Sequence, residues 1–419
     1  ILWQLADICE KLKNQTETKA ALRTRVFHQV KNLLTVATDY AFDKNLWHNY
    51  LTFLLITNEN PFSLVCEKMG AQDGTVNNFV THDFDMFKEL FDYDFSWLEK
   101  ELSIDCFTQL THYQAIRKKE LMYNKNVSEK VRTLSEKLET AGSGADFFKY
   151  VTEFYKDFGV GMFGLNKAFR IAENVDGSVR FLPINNMDTV MLDDLIGYEL
   201  QKKKLVENTQ AFCDGKAANN VLLFGDSGTG KSTSIKAIVN QFYPQGLRMI
   251  EIYKHQFKDL STIIAQIKNR NYKFIIYMDD LSFEEFEIEY KFLKAVIEGG
   301  VETKPDNVLI YATSNRRHLI KETWKDREDM EHSEDLHRSD TMEEKLSLVN
   351  RFGLSIYYAK PNKEGFNEMA VALARRAGIT PEIMSDEEIC YEANRFEMRG
   401  GGLSGRTAQQ FANYMLTIK

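Results

Sequence analysis

Cysteine is scarce in this chain and is not arranged for chemistry. The five cysteines, Cys9, Cys66, Cys106, Cys213 and Cys390, are odd in number and far apart. No C-x-x-C pair occurs among them, which excludes a disulfide framework and a zinc site of familiar spacing and suits a reducing, cytoplasmic setting. Long apolar runs are missing too. The longest near the N-terminus, around Leu51-Thr52-Phe53-Leu54-Leu55-Ile56, is too short to span a bilayer, so no membrane association is expected. No signal-peptide pattern opens the chain. Its first residue is Ile1 rather than Met, which points to a trimmed sequence. Positive charge is not in excess: 53 Lys and Arg stand against 61 Asp and Glu, a formal net charge of −8. That argues against a general electrostatic grip on nucleic acid. Only short basic clusters remain, Lys202-Lys203-Lys204 and Arg316-Arg317. No internal repeat is visible.

What is present divides by pattern. At 419 residues the chain exceeds one ordinary core, so two or three domains are expected. Residues 1–185 read as a mainly helical N-terminal domain. Leu2, Leu5, Ile8 and Leu12 recur at helical spacing, as do Phe147, Val151, Phe154 and Tyr155. The many Phe, Tyr and Leu of this region read as a helical core, and no chemical motif stands among them. Phe169-Arg170-Ile171 and Val179-Arg180-Phe181-Leu182, joined through Asp176-Gly177, predict a small hairpin within it. From about Asp193 short apolar runs alternate with amphipathic stretches. Met249–Tyr253, Phe274–Met278 and Val308–Ala312 read as inner strands of a parallel sheet with helices on both faces. That α/β region is expected over 186–358. The charge-dense stretch from Lys321 to Lys345 reads as an exposed loop. Residues 359–419 read as helical again.

The most specific motif is Gly225-Asp226-Ser227-Gly228-Thr229-Gly230-Lys231-Ser232. It fits the phosphate-loop pattern G-x-x-x-x-G-K-[ST] without a mismatch. The apolar run Val221-Leu222-Leu223-Phe224 precedes it, and a stretch from Thr233 that can continue as a helix follows. The glycines let backbone N–H groups turn toward phosphate oxygens, and the helix N-terminus adds a favourable dipole. Lys231 is expected to be an exposed ligand of the β- and γ-phosphates, and the Ser232 hydroxyl a ligand of Mg²⁺.

A second apolar strand ends in Asp279-Asp280. A carboxylate there can hold the magnesium shell, which is assigned to Asp279, and the next can polarise an attacking water, which is assigned to Asp280. A third strand runs into Ala312-Thr313-Ser314-Asn315. Asn350-Arg351-Phe352-Gly353 and Leu403-Ser404-Gly405-Arg406 follow. This order of motifs resembles an AAA+ ATPase. The resemblance implies that Asn315 is sensor 1, that Arg351 is a finger offered to a neighbouring subunit's ATP, and that Arg406 is sensor 2 on a helical lid over 359–419. Leu192-Asp193-Asp194-Leu195-Ile196-Gly197-Tyr198 resembles the segment that packs on adenine, which implies that Ile196, Gly197 and Tyr198 lie near the base.

The similarity narrows further. Asp279–Glu284, Tyr311–Leu319, Glu344–Leu348 and Gly159-Val160-Gly161-Met162-Phe163 resemble a bacterial AAA+ family known only as domain of unknown function 815. It extends over roughly 150–419. Asp280 departs from the AAA+ pattern, in which Glu is usual. The shorter carboxylate sits further from the water, so Glu284 or Glu285 is an alternative helper. The function implied is a cytoplasmic ATPase that binds MgATP between core and lid and works as a homo-oligomeric ring or partial ring on a protein partner. Two other classes stay open: a DNA-associated ATPase such as a helicase loader, and a slow nucleotide-gated switch.

Overall fold

The computed structural model describes residues 1–72, 74–115, 125–185, 187–283, 287–298, 305–316, 319, 348–400 and 402–417. The helical spacing of the first region is realised as α1 (Leu2–Lys13), α2 (Lys19–Asp39), α3 (Leu46–Thr57), α4 (Pro61–Met69), α5 (Thr75–Phe91), α6 (Ser96–Leu102), α7 (Cys106–Thr111), α8 (Lys125–Glu139), α9 (Gly144–Phe158) and α10 (Gly161–Leu165). Local chemistry sets several starts. Thr18 and Asn45 cap α2 and α3 by accepting from the N–H groups of Ala21 and His48. Asn60 and Ser63 form a reciprocal capping box at α4, with Pro61 at its first position. Leu22, Val26, Leu51, Ile56, Leu138, Phe147 and Val151 meet in one core. Each such side chain contributes about 1.5–3 kcal/mol by leaving water. Phe95 and Phe107 stack within it, ring centres 4.1 Å apart.

The chain divides into two units, 1–166 and 167–419. The second carries β1 (Ala168–Glu173), β2 (Val179–Pro183), α11 (Glu199–Cys213), β3 (Val221–Gly225), α12 (Lys231–Phe242), β4 (Leu247–Glu251), α13 (Leu260–Ile267), β5 (Lys273–Met278), α14 (Glu289–Glu298), β6 (Val308–Ser314), β7 (Leu354–Tyr358), α15 (Lys363–Arg376), α16 (Asp386–Glu397) and α17 (Gly405–Thr417). Its sheet runs β2-β1-β4-β5-β6-β3-β7. Every neighbouring pair is parallel except β1 with β2. All seven residues of β6 are buried, and so are five of the six in β5. A strand buried on both faces needs cover on both, which explains its unbroken apolar run. This is an α/β P-loop NTPase core with a helical region on either side of it in sequence.

The hairpin expected in the N-terminal domain forms, but it belongs to this sheet. β1 pairs with β4 through Ala168↔Met249 and Phe169↔Ile250. Hydrophobic periodicity marks a strand but not its partner, so membership of a sheet is settled only by long-range pairing. The expected loop over 321–345, together with Glu284 and Glu285, lies outside the described residues.

Register brings three strand ends together. Phe224 of β3 pairs with Ser314 of β6, and Met278 of β5 pairs with Ala312 of β6. In open α/β sheets ligands bind outside such carboxyl ends. The last three helices pack through Phe366, Met369, Ala370, Ala374, Ile389, Ala393, Ala408 and Phe411, whose alanines permit close approach. Among the described residues no helix is long and apolar enough to cross a membrane.

Candidate nucleotide site

The loop after β3 is built on backbone contacts with the end of β7. Gly225 has φ +131°, and a Cβ there would collide with the carbonyl oxygen of Tyr358. The Asp226 N–H donates to that same oxygen at 3.1 Å. The Lys360 N–H donates to Asp226 Oδ2 at 3.0 Å, and Thr229 Oγ1 donates to the Asp226 carbonyl at 2.8 Å. Ser227 stands exposed at the apex, and Gly230 leads into α12, where Thr233 is half-buried in the first turn. Gly228 has φ +79°, and a Cβ there would lie 3.0 Å from Ser404 Oγ. The Arg406 N–H donates to the Gly228 carbonyl at 3.1 Å. The start of α17 therefore sits on the loop, with the Arg406 side chain exposed beside it.

Lys231 is not the exposed side chain that the motif suggests. It is 6% exposed. Its Nζ donates to the carbonyls of Gly225 at 2.9 Å and Asp226 at 2.6 Å, and to Asn315 Oδ1 at 3.0 Å. An ammonium has three donors, and the curled loop supplies two inward carbonyls while β6 leads to the third acceptor. Burial lowers its pKa. The charges of Asp226, Asp280 and Asp279 oppose that, and Arg406 adds to it.

The two carboxylates are held differently. Asp279 Oδ1 accepts from Ser232 Oγ and from Thr313 Oγ1, each at 2.6 Å. Burial pushes the Asp279 pKa up, but the hydroxyls of Ser232 and Thr313, with the Tyr277 hydroxyl and Lys236 nearby, bring it below the ordinary value. Asp280 is exposed and left-handed at φ +51°, an uncommon conformation that Asp tolerates better than most residues. Its N–H donates to Thr313 Oγ1 at 2.9 Å, and its Oδ1 accepts from Asn315 Nδ2 at 2.7 Å. Thr313 thus ties the Asp279 carboxylate to the Asp280 main chain, a part that the motif reading missed. The available signal is spacing: Thr313 stands two residues before Asn315, at the end of β6. Register sets Thr313 opposite Leu223 of β3.

The segment before α11 lies between the loop and the last three helices. Leu195 Cδ2 is 3.1 Å from where a Cβ on Gly230 would stand, and Met369 Cε is 3.3 Å from the equivalent point on Gly197. Ile196 and Tyr198 pack on the cluster formed by those helices. The Tyr198 hydroxyl donates to the Ala359 carbonyl at 2.8 Å, and its ring lies 5.0 Å from that of Tyr358. Burial pushes its phenol up to about 12. Arg376 donates to the carbonyls of Asp193 and Asp194.

Arg351 is not brought to this loop. Val221 pairs with Leu354 and Gly225 with Tyr358, so Arg351 precedes the end of β7 furthest from the glycines. The strand between spans roughly 13 Å at 3.3 Å per residue. Lys202, the first of a basic trio, is largely buried, and its Nζ donates to the Leu195 carbonyl at 2.9 Å. Of the Arg316-Arg317 pair, Arg317 lies outside the described residues.

The model of the family described as "Protein of unknown function (DUF815)" matches residues 165–418. The chain belongs to the DUF815 family. No curated protein matches it. Among solved structures, a mutant of Thermotoga maritima RuvB aligns at 17% identity with a TM-score of 0.38, over 54% of this chain and 66% of that one. PCH-2 from C. elegans aligns at 17% identity with a TM-score of 0.36, over 54% and 65%. This DUF815 chain therefore spans just under two thirds of the length of those structures. Both likenesses are distant, and neither carries a residue's role.

Proposed function

We propose that the protein binds and hydrolyses MgATP and uses the cycle to remodel a protein partner. The observation that carries this reading is one hydrogen-bonded chain, Lys231–Asn315–Asp280, joined through Thr313 to Asp279 and Ser232. Such a chain links the phosphate-binding lysine, the metal-side hydroxyl and carboxylate, and the pair that would orient the water for in-line attack on a γ-phosphate.

In this reading the loop N–H groups and the start of α12 receive the phosphates. Lys231 leaves the loop carbonyls for the β- and γ-phosphates. Asp280 and Asn315 orient the attacking water. Ile196, Gly197 and Tyr198 border the base, and Arg406 approaches the phosphates from α17, with 359–419 acting as a lid. Magnesium fits the donor set: a hydroxyl and a carboxylate, both hard oxygens, side by side. Among the described residues no group of three or more His, Cys, Asp or Glu forms a cage, and magnesium beside phosphates needs none. Ser232 and Asp279 would hold it, and it would offset charge on the phosphates. Arg351, remote from its own loop, is assigned to a neighbouring subunit's site, which implies a homo-oligomer. The free state of all five cysteines supports a cytoplasmic location.

One observation favours the slow-switch reading instead: the short Asp280 carboxylate is already engaged by Asn315. The DNA-associated reading is weakened by the burial of Lys202. Calorimetry and steady-state hydrolysis with Lys231→Ala test the proposal. The parent should bind and hydrolyse ATP with magnesium, and Lys231→Ala should bind it weakly or not at all. Equal ATP affinity in the two proteins would sink the assignment.

A further inference from the structure

Tyr277 lies near the end of β5, two residues before Asp279 in the turn that follows the strand. Its side chain is fully buried. Its hydroxyl lies against Asp279, Ser232 and Thr313, yet it makes no hydrogen bond of proper geometry. A buried hydroxyl without a partner is costly, and Phe would fill nearly the same volume without that cost. Packing alone therefore does not account for the oxygen.

The acceptor beside it has room. A carboxylate offers about four lone-pair positions. Ser232 and Thr313 both donate to Oδ1 of Asp279. Two positions remain, enough for one metal ion or metal-bound water and one further donor.

We propose that Tyr277 is a positioning residue for the metal carboxylate: its hydroxyl becomes the third donor to Asp279 and fixes that group in the orientation that serves magnesium. The proposal rests on the MgATP reading. It names a residue outside the phosphate loop and the Asp279-Asp280 pair, with a role distinct from packing. The hydroxyl would then be unpartnered only while the carboxylate is turned to Ser232 and Thr313.

The test is Tyr277→Phe in the full chain, read in three ways. Magnesium is titrated against the binding of a non-hydrolysable ATP analogue. The same analogue is titrated in EDTA. Thermal unfolding is followed without ligand. The variant should need roughly 10-fold more magnesium for half-maximal binding, the lower end of what outer-shell partners of a metal cost. Its affinity in EDTA should equal the parent's. Its unfolding temperature should be equal or higher, because an unsatisfied buried group has been removed. An unchanged magnesium requirement makes the hydroxyl a packing atom and overturns the proposal. A lower unfolding temperature with weaker binding in EDTA makes it a structural partner and also overturns it. A parent whose binding ignores magnesium fails the MgATP reading itself, and this inference with it.

Discussion

The two units use polar side chains for different ends. In residues 1–166 those groups serve nearby backbone. Thr152 donates to the Phe148 carbonyl at 2.7 Å, and Asn49 donates to the Asp43 carbonyl at 2.7 Å. The Tyr155 hydroxyl donates to the Leu55 carbonyl, and Glu67 accepts from the Val160 N–H. In residues 167–419 the polar groups at the ends of β3, β5 and β6 bond chiefly to one another. Lys231, Ser232, Asp279, Asp280, Thr313 and Asn315 form one network, with Lys231 also held by its loop. The first pattern stabilises helices. The second holds a buried lysine within reach of two exposed carboxylates, an arrangement suited to chemistry. Losses in the first unit should therefore appear as stability and losses in the second as activity.

The largest test concerns Arg351. A cationic finger in GTPases is worth roughly 10³–10⁵ in rate, so Arg351→Ala should hydrolyse ATP at least about 10³-fold more slowly while still binding it. Mixed with Lys231→Ala after confirmed subunit exchange, it should recover part of the activity. A mixture no more active than the two variants summed removes the shared site.

Next is Phe147→Ala, in the core of the first unit. It should cost about 3–5 kcal/mol by urea unfolding and leave the ATP affinity of the folded protein unchanged. A parallel loss of affinity would break the contrast between the units.

The carboxylates come third. Asp280→Asn should bind MgATP and slow hydrolysis by roughly 10², the scale of general base catalysis. Asp279→Asn should weaken magnesium-dependent binding. The Asp279 carboxyl sits below its ordinary pKa when folded. Its contribution to stability is thus fully present above the unfolded value and is lost as pH falls through the folded one. Asp279→Asn should flatten that acid limb of the stability curve. A hydrolysis rate in Asp280→Asn equal to the parent's moves the base elsewhere, with Glu284 and Glu285 next to examine.

The smallest effects come from a matched pair. Thr152→Val and Thr313→Val each delete a buried hydroxyl, at about 1–3 kcal/mol of stability. Only Thr313→Val should also slow hydrolysis, because it frees the Asp279 carboxylate and the Asp280 main chain. Equal hydrolysis in the two variants would mean that Thr313 is scaffolding.

Local pattern explains what was legible in the chain. The phosphate loop and the Asp279-Asp280 pair are contiguous, and β4, β5 and β6 fall within about two residues of the apolar runs that mark them, as strands with two buried faces should. The rest depends on neighbours distant in sequence. The burial of Lys231 needs the curl of its own loop together with Asn315, 84 residues away. The double tie of Thr313 needs the β5–β6 register. β7 carries no motif of its own, and its position at the sheet edge appears only through pairing with β3. The helical unit shows its core in its spacing and nothing of its role.

The contact between Gly225 and Tyr358 constrains how this protein can change. The nearest obstacle to a side chain at 225 is a main-chain oxygen, with the Tyr357 ring a lesser one at 3.1 Å. No exchange of amino acid at 358 can remove it, because every residue carries that carbonyl. Position 225 therefore has no compensating partner: a replacement there is rescued only by moving the edge strand, which also holds the Asp226 amide. Paired-mutation screens of the loop should return suppressors for Ser227, whose side chain faces open solvent, and none for Gly225.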